Sequence, residues 1–373
     1  MNQQEVSWTR SAATASAETD ATTRSPAVAA RRWALVALLG ILILAFLLSI
    51  SLGSVAIPLN DVAKVLLGGE AQKTAWTTII LQFRLPKALT AMLAGAALAM
   101  SGLQMQTLFR NPLAGPFVLG ISSGASLGVA LVVLGVGAGS ASLLAGLGVL
   151  GNLGVAAAAS IGAGAVMGLV LIAARRVHSG MTLLILGLLF GYATSGLVSI
   201  LLYFAISERI QAYVLWTFGS FGKVTWAQMA VFAPTILAAL ALGFLLVKPL
   251  NALLLGETYA RSMGLHIGRA RVGIVVSASV LAGVVTAFCG PIAFLGIAVP
   301  HLCRSLFNTS DHRMLLPGVA LLGAAMALLT DLIAHVPGNS VTLPLNAVTS
   351  LVGAPVVAWV ILRRRNLRQA FAA

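Results

Sequence analysis

VGIVVSASVLAGVVTAFCGPIAFLGIAVPHLC, residues 272–303, runs between Arg271 and Arg304 without a charged side chain. A helix crossing a bilayer needs about 20 apolar residues, so this stretch is too long for one crossing and short for two. Gly290-Pro291 divides it, because proline lacks the amide donor and glycine tolerates a broken backbone. The spacing predicts one full helix over 272–289, a break, and a short helix over 292–302.

Similar charge-free stretches lie on both sides: 33–60, 88–109, 111–174, 177–207, 224–247, 314–330 and 332–362. The longest, 111–174, must hold two crossings, with the turn expected at Gly135–Ser142. The predicted spans are 33–56, 87–107, 117–136, 146–173, 182–206, 227–247, 272–289, 292–302, 314–336 and 343–362. This is an all-α polytopic membrane protein of about ten transmembrane helices.

Composition agrees. Of 373 residues, 59% are hydrophobic and 9% charged, against roughly 25% charged in a soluble domain. Mean hydropathy is +1.00. Cys289 and Cys303 both sit in apolar runs, which excludes a disulfide scaffold. The net charge of +14 borders apolar runs instead of forming a basic patch, so no nucleic-acid partner is expected.

Lys and Arg set the orientation. Arg31-Arg32 precede the first span, and Arg363, Arg364, Arg365 and Arg368 follow the last. Threading ten spans places 17 of the 23 basic residues inside and leaves Lys64, Lys73, Arg84, Lys87, Arg209 and Lys223 outside. Both termini are therefore expected in the cytoplasm. Residues 1–30, rich in Ala, Ser and Thr, read as a disordered cytoplasmic tail ahead of a membrane domain over 31–373. A signal peptide is disfavoured, because the apolar run after Arg32 is span-length with no convincing cleavage site.

Glycines cluster within spans: Gly95 and Gly102; Gly120, Gly124 and Gly128; Gly162, Gly164 and Gly168; Gly187, Gly191 and Gly196. Small residues let membrane helices approach closely. Two segments resemble each other, NPLAGPFVLGISSG (111–124) and FCGPIAFLGIAVP (288–300). They follow spans of opposite direction, which reads as a weak inverted repeat of the kind transporters carry.

No catalytic constellation is present. There is no phosphate-binding glycine loop, no HExxH and no paired carboxylates, and His301 with Cys303 do not orient to one metal. No cofactor or metal is expected in this chain. Asp331 is the one ionisable residue inside a span, with His335 a turn later; a local pair at a helix end is favoured over a proton site. The amphipathic segment 248–271, KPLNALLLGETYARSMGLHIGRAR, is predicted cytoplasmic. Leu253, Leu254, Leu255 and Met263 mark it as a partner surface.

RLPKALTAMLAGAALAMSGLQMQTLFRNPLAGPFVLGISSGASLG (84–128) resembles the signature of the FecCD-type permeases, the membrane subunits of ABC importers for ferric siderophores, haem and cobalamin. Later blocks are similar in the same order: 250–267, 289–307, 311–335 and 343–365. The resemblance spans about residues 33–366. It implies a type II ABC importer architecture with ten spans per subunit and two permeases per complex. It also implies a cytoplasmic ATPase dimer and an external substrate-binding protein.

The resemblance also implies roles. Gly256, Glu257, Ala260, Arg261, Met263 and Gly264 match the cytoplasmic segment that couples to the ATPase. Arg84 and Lys87 match basic positions at the external mouth that receive carboxylates of the binding protein; His335 stands where relatives often have Arg. Lys offers a point charge where Arg would offer a bidentate contact. Ser179, Gly180 and Met181 match a cytoplasmic gate. Gly187, Gly191, Ser195 and Ser199 match positions lining the central pathway.

The expected function is therefore the permease of an ATP-driven importer in the bacterial inner membrane, with a ferric siderophore as first cargo. Haem or cobalamin is the alternative cargo. An ion-coupled secondary carrier and a non-transporting scaffold are the competing classes. ATP hydrolysis is expected from a separate subunit.

Overall fold

A computed structural model describes residues 29–134, 149–177, 180–335 and 342–363. All regular structure among them is helical. Helix α1 covers Ala29–Ser51, so it takes the last two residues of the expected tail; residues 1–28 and the predicted turn 135–142 lie outside the described residues. Short α2 (Leu59–Leu66) precedes α3, which runs unbroken over Thr74–Leu108 with a π-helical stretch at Ile79–Arg84. There follow α4 (Ile121–Val133), α5 (Val149–Arg176), α6 (Gly180–Tyr203), α7 (Ser207–Thr217) and α8 (Trp226–Leu245). Then come α9 (Val247–Leu254), α10 (Glu257–Ser262), α11 (Ile267–Cys289), α12 (Leu295–Phe307), α13 (His312–Ala334) and α14 (Leu345–Arg363).

Among the described residues, seven helices are long and apolar enough to cross a membrane: α1, α3, α5, α6, α8, α11 and α13. Three shorter apolar helices, α4, α12 and α14, complete the ten expected spans. The largest boundary difference is α3, predicted as 87–107. The helix continues outward to Thr74: Arg84 bonds to carbonyls at the end of α1, and the Ile79–Arg84 stretch packs against α2.

Burial orders the bundle. The most apolar part of α3 is 83% buried, against 22% for α6. A helix apolar on all sides belongs inside, and the Ala- and Gly-rich surface of α3 permits it. At Gly95 an added Cβ would lie 2.2 Å from the Gly323 carbonyl of α13, and at Gly323 one would lie 2.4 Å from the Gly95 carbonyl. α4 and α5 meet the same way through Gly124 and Gly162. Polar stitches fix the centre: Gln104 donates to Ser277 at 3.0 Å, Ser277 to the Ala239 carbonyl at 3.3 Å, and Ser101 to the Ala278 carbonyl at 2.8 Å. These tie α3 to α11 and α8 where no water competes.

The Gly-Pro break forms as predicted. α11 ends at Cys289, and Gly290 adopts φ +77°, a conformation that disfavours side chains. α12 then starts at Leu295, and its 13 residues reach only about 20 Å. The similar segment breaks at Gly120 (φ +73°) before α4. His301 of α12 donates to the Pro112 carbonyl at 2.7 Å, which ties α12 to the loop ahead of the second break.

Candidate functional site: a conduit with two docking ends

The end of the bundle predicted to be external carries a charged cluster. Lys87 Nζ lies 2.9 Å from an Asp331 carboxylate oxygen, and Asp331 is buried. His335 Nδ1 donates to the Asp331 carbonyl at 2.9 Å and sits 3.4 Å from its second carboxylate oxygen. The expected local pair at Asp331 is thus a triad that includes Lys87. Arg84 has a different setting. It donates to the Ile50 and Ser51 carbonyls at 2.7 and 2.8 Å and to Val55 as well, capping the C-terminus of α1. Gly53 leaves room for it, since a Cβ there would lie 2.8 Å from the guanidinium.

A cleft of about 420 Å³ opens between α4, the C-terminal half of α6 and the Pro291 break. Ser122, Ser123, Ser126, Ser195, Ser199 and Tyr213 give it a hydroxyl lining, and among the described residues no charged one lines it. Burial raises the Tyr213 phenol pKa, opposed by its hydrogen bond with Ser126, so the group stays neutral. Of the predicted pathway residues, Ser195 and Ser199 face this cleft. Gly187 and Gly191 pack against Gly120 of the same chain: a Cβ on Gly120 would meet the Gly187 carbonyl at 2.8 Å.

At the opposite end, α9 and α10 form the predicted short helices of segment 248–271. Gly256 (φ +110°) and Gly264 (φ +84°) bracket α10 in a conformation that glycine alone accepts readily. Ala260 is fully buried beneath it, while Leu255, Tyr259 and Met263 are exposed and Arg261 points outward. The expected apolar partner surface is therefore divided. Leu253 packs inward, and Leu255 and Met263 carry the outer face.

Three polar ties anchor the segment. Arg110 donates to the Leu253 carbonyl at 3.1 Å. Asn251 donates to Asp311 at 2.7 Å and accepts from the His312 amide at 2.9 Å. Arg271 pairs with Glu257 at 2.9 Å. Asp311 also accepts from the Arg313 amide, capping α13. Burial raises the Asp311 pKa, but the bonds from Arg313 and Asn251 and the Arg313 and His312 charges outweigh it, so the carboxyl ends below its ordinary value. Ser179 lies outside the described residues; Gly180 opens α6 and Met181 is exposed beside it.

Sequence reasoning missed Arg271 and Arg110, which were read only as inside charges. Asn251 and His312 were missed too. The available signal was a polar residue where the hydrophobic pattern calls for an apolar one, as at Gln104 and Ser101. Among the described residues no cluster of three or more His, Cys, Asp or Glu is placed to hold a metal.

Ten apolar helices, an uncharged cleft and a clamped amphipathic segment define a polytopic membrane permease, a transport subunit. The chain belongs to the FecCD transport family, whose profile matches residues 41–363. It is 38% identical over 336 residues to the vitamin B12 import system permease protein BtuC of Klebsiella pneumoniae subsp. pneumoniae, covering 90% of this chain and 95% of that one. The BtuC protein of Shigella boydii serotype 18 is 36% identical over 343 residues, covering 90% and 96%. A solved inward-facing structure assigned to the metal-chelate type of ABC transporter superposes with a TM-score of 0.76 at 27% identity, over 88% of this chain and 98% of that one.

Proposed function

We propose that this chain is the permease of an ATP-driven importer for a bulky, uncharged chelate, with cobalamin as first cargo. The carrying observation is its 38% identity to a vitamin B12 import permease along 90% of its length. That ordering differs from the sequence expectation, which put a ferric siderophore first. The cleft supports the change: hydroxyls suit the amide groups of a neutral corrinoid, whereas haem propionates or a polyanionic ferric catecholate would lack a cationic partner there. A neutral ferric hydroxamate is the second reading, favoured by the similarity to a metal-chelate type transporter.

In this reading the chain sits in the bacterial inner membrane with both termini in the cytoplasm. Two copies, or this chain and a paralogue, enclose a pathway lined by Ser195 and Ser199, while Gly187 and Gly191, expected there too, let Gly120 pack closely against α6 behind it. The binding protein docks at the Lys87 and His335 end, where Arg84 holds α1 in place. An ATPase dimer grips α10 through Gly256, Glu257, Ala260, Arg261, Met263 and Gly264. Closure of the ATPases pushes α10, and the gate at Ser179, Gly180 and Met181 opens. The test is calorimetric titration of the cognate binding protein with cyanocobalamin and with a neutral ferric hydroxamate, followed by uptake into vesicles holding the full complex. Binding and uptake of cyanocobalamin alone support the first cargo; hydroxamate alone replaces it.

A further inference from the structure

Arg271, in the second turn of α11, is 4% exposed. Its Nη2 donates to Glu257 Oε1 at 2.9 Å, and its Nη1 donates to the Val177 carbonyl at 2.8 Å. One guanidinium therefore joins α11, the first residue of α10, and the residue just past the C-terminus of α5. Val177 immediately precedes the link into α6.

The chemistry of the contact matters. A rigid planar fork holds two acceptors in different elements at a fixed separation, which an ammonium on a flexible stem does not do. Loss of the guanidinium would leave the partly exposed Glu257 to water and the Val177 carbonyl without this donor. Surface ion pairs contribute little, but the Arg271 side chain is 5% exposed and screened from salt.

The ties of Arg110 and Asn251 run from the amphipathic segment to the C-terminal end of α3, the most buried spanning helix, and to the start of α13. The Arg271 tie runs elsewhere, to the α5–α6 junction and so to the least buried spanning helix. The tie gives a force applied to the exposed Leu255, Tyr259 and Met263 a direct polar route toward α6, alongside the packing of α11 against α5.

We infer that Arg271 is a positioning residue that transmits displacement of α10 to the α5–α6 junction. The inference rests on the reading of α10 as the ATPase-coupling element. The test uses the full complex in lipid vesicles with Met181→Cys as reporter. Met181 is exposed, and both native cysteines are buried, so a polar maleimide reports position 181. The labelling rate is compared without nucleotide and with ATP plus vanadate.

In Arg271→Met the ATPase subunits should still co-purify and hydrolyse ATP, while the nucleotide-dependent change in labelling is lost. Arg271→Lys keeps the buried charge paired and the fold intact but reaches one acceptor rather than two, so its response should fall below that of the reporter parent. A full nucleotide response in either variant overturns the inference. So does loss of ATPase binding together with the response, which would make the guanidinium a staple of the fold. A wild-type complex that neither binds an ATPase nor hydrolyses ATP would instead sink the importer reading, and the relay with it; a reporter parent that binds and hydrolyses yet shows no nucleotide response overturns the relay alone.

Discussion

Single side chains at both ends of the bundle carry charge that the bilayer interior would not accept, and their partners decide what a substitution costs. Lys87→Met strands the buried Asp331 carboxylate, which His335 touches only at its edge. Breaking a buried pair on one side should cost about 3 kcal/mol, and Lys87→Met with Asp331→Leu should recover most of it. Thermal unfolding in detergent checks this; a double variant no more stable than the single would overturn it. Asp311 gives a pH dependence of definite sign. Its folded pKa lies below the unfolded value of about 3.9, so its contribution is complete above that value. It is lost as pH falls through the folded pKa. Melting temperatures should drop more steeply below about pH 4 in the wild type than in Asp311→Asn, while Asp311→Ala should cost about 1 kcal/mol at neutral pH through loss of the cap.

Helices decide which of the many glycines matter. At Gly95 and Gly323 two backbones approach so closely that a Cβ cannot fit, whereas nothing lies within 4 Å of Gly164 or Gly168. Gly323→Val should cost about 3 kcal/mol, the upper part of the range for overpacking. Gly164→Ala should be neutral or stabilise by up to about 1 kcal/mol through helix propensity. Folded yield and melting temperature of the two variants read this directly. The same contrast shows what the chain reveals before it folds. The ten apolar helices and the Gly290-Pro291 break are legible, because a bilayer demands length and apolarity that no tertiary contact can replace. The facing of each glycine is not, because it depends on which helix lies opposite: Gly120 and Gly187 are far apart in sequence and meet only in the bundle. At the candidate site, Ser195 and Ser199 were named by the family resemblance, and both face the cleft from one side of α6. Arg271 was hidden for the opposite reason. Its partners Glu257 and Val177 come from two other elements, and beside a span an arginine looks like any inside charge.

In the proposed reading the whole molecule is a conduit whose power arrives through a small patch on one face. α10 and the residues flanking it present Leu255, Tyr259 and Met263 outward and bury Ala260 beneath them, so the patch is apolar and backed by packed chain. Apolar side chains exposed on a backed surface suit the docking role proposed for them. Leu255→Asp with Met263→Asp changes only exposed atoms, and membrane insertion and melting temperature should stay near the wild-type values. Charge placed in the centre of the patch should nevertheless abolish co-purification of the ATPase, since a desolvated unpaired carboxylate is among the costliest groups to bury. Gly264→Trp should do the same by a second route, because φ +84° suits glycine and resists a bulky side chain. Maleimide labelling of Met263→Cys from either side of sealed vesicles fixes the geometry: reaction from the cytoplasmic side alone is required. Reaction from the outside, or retained ATPase in the double aspartate variant, would place the motor elsewhere and turn α10 into an ordinary surface helix.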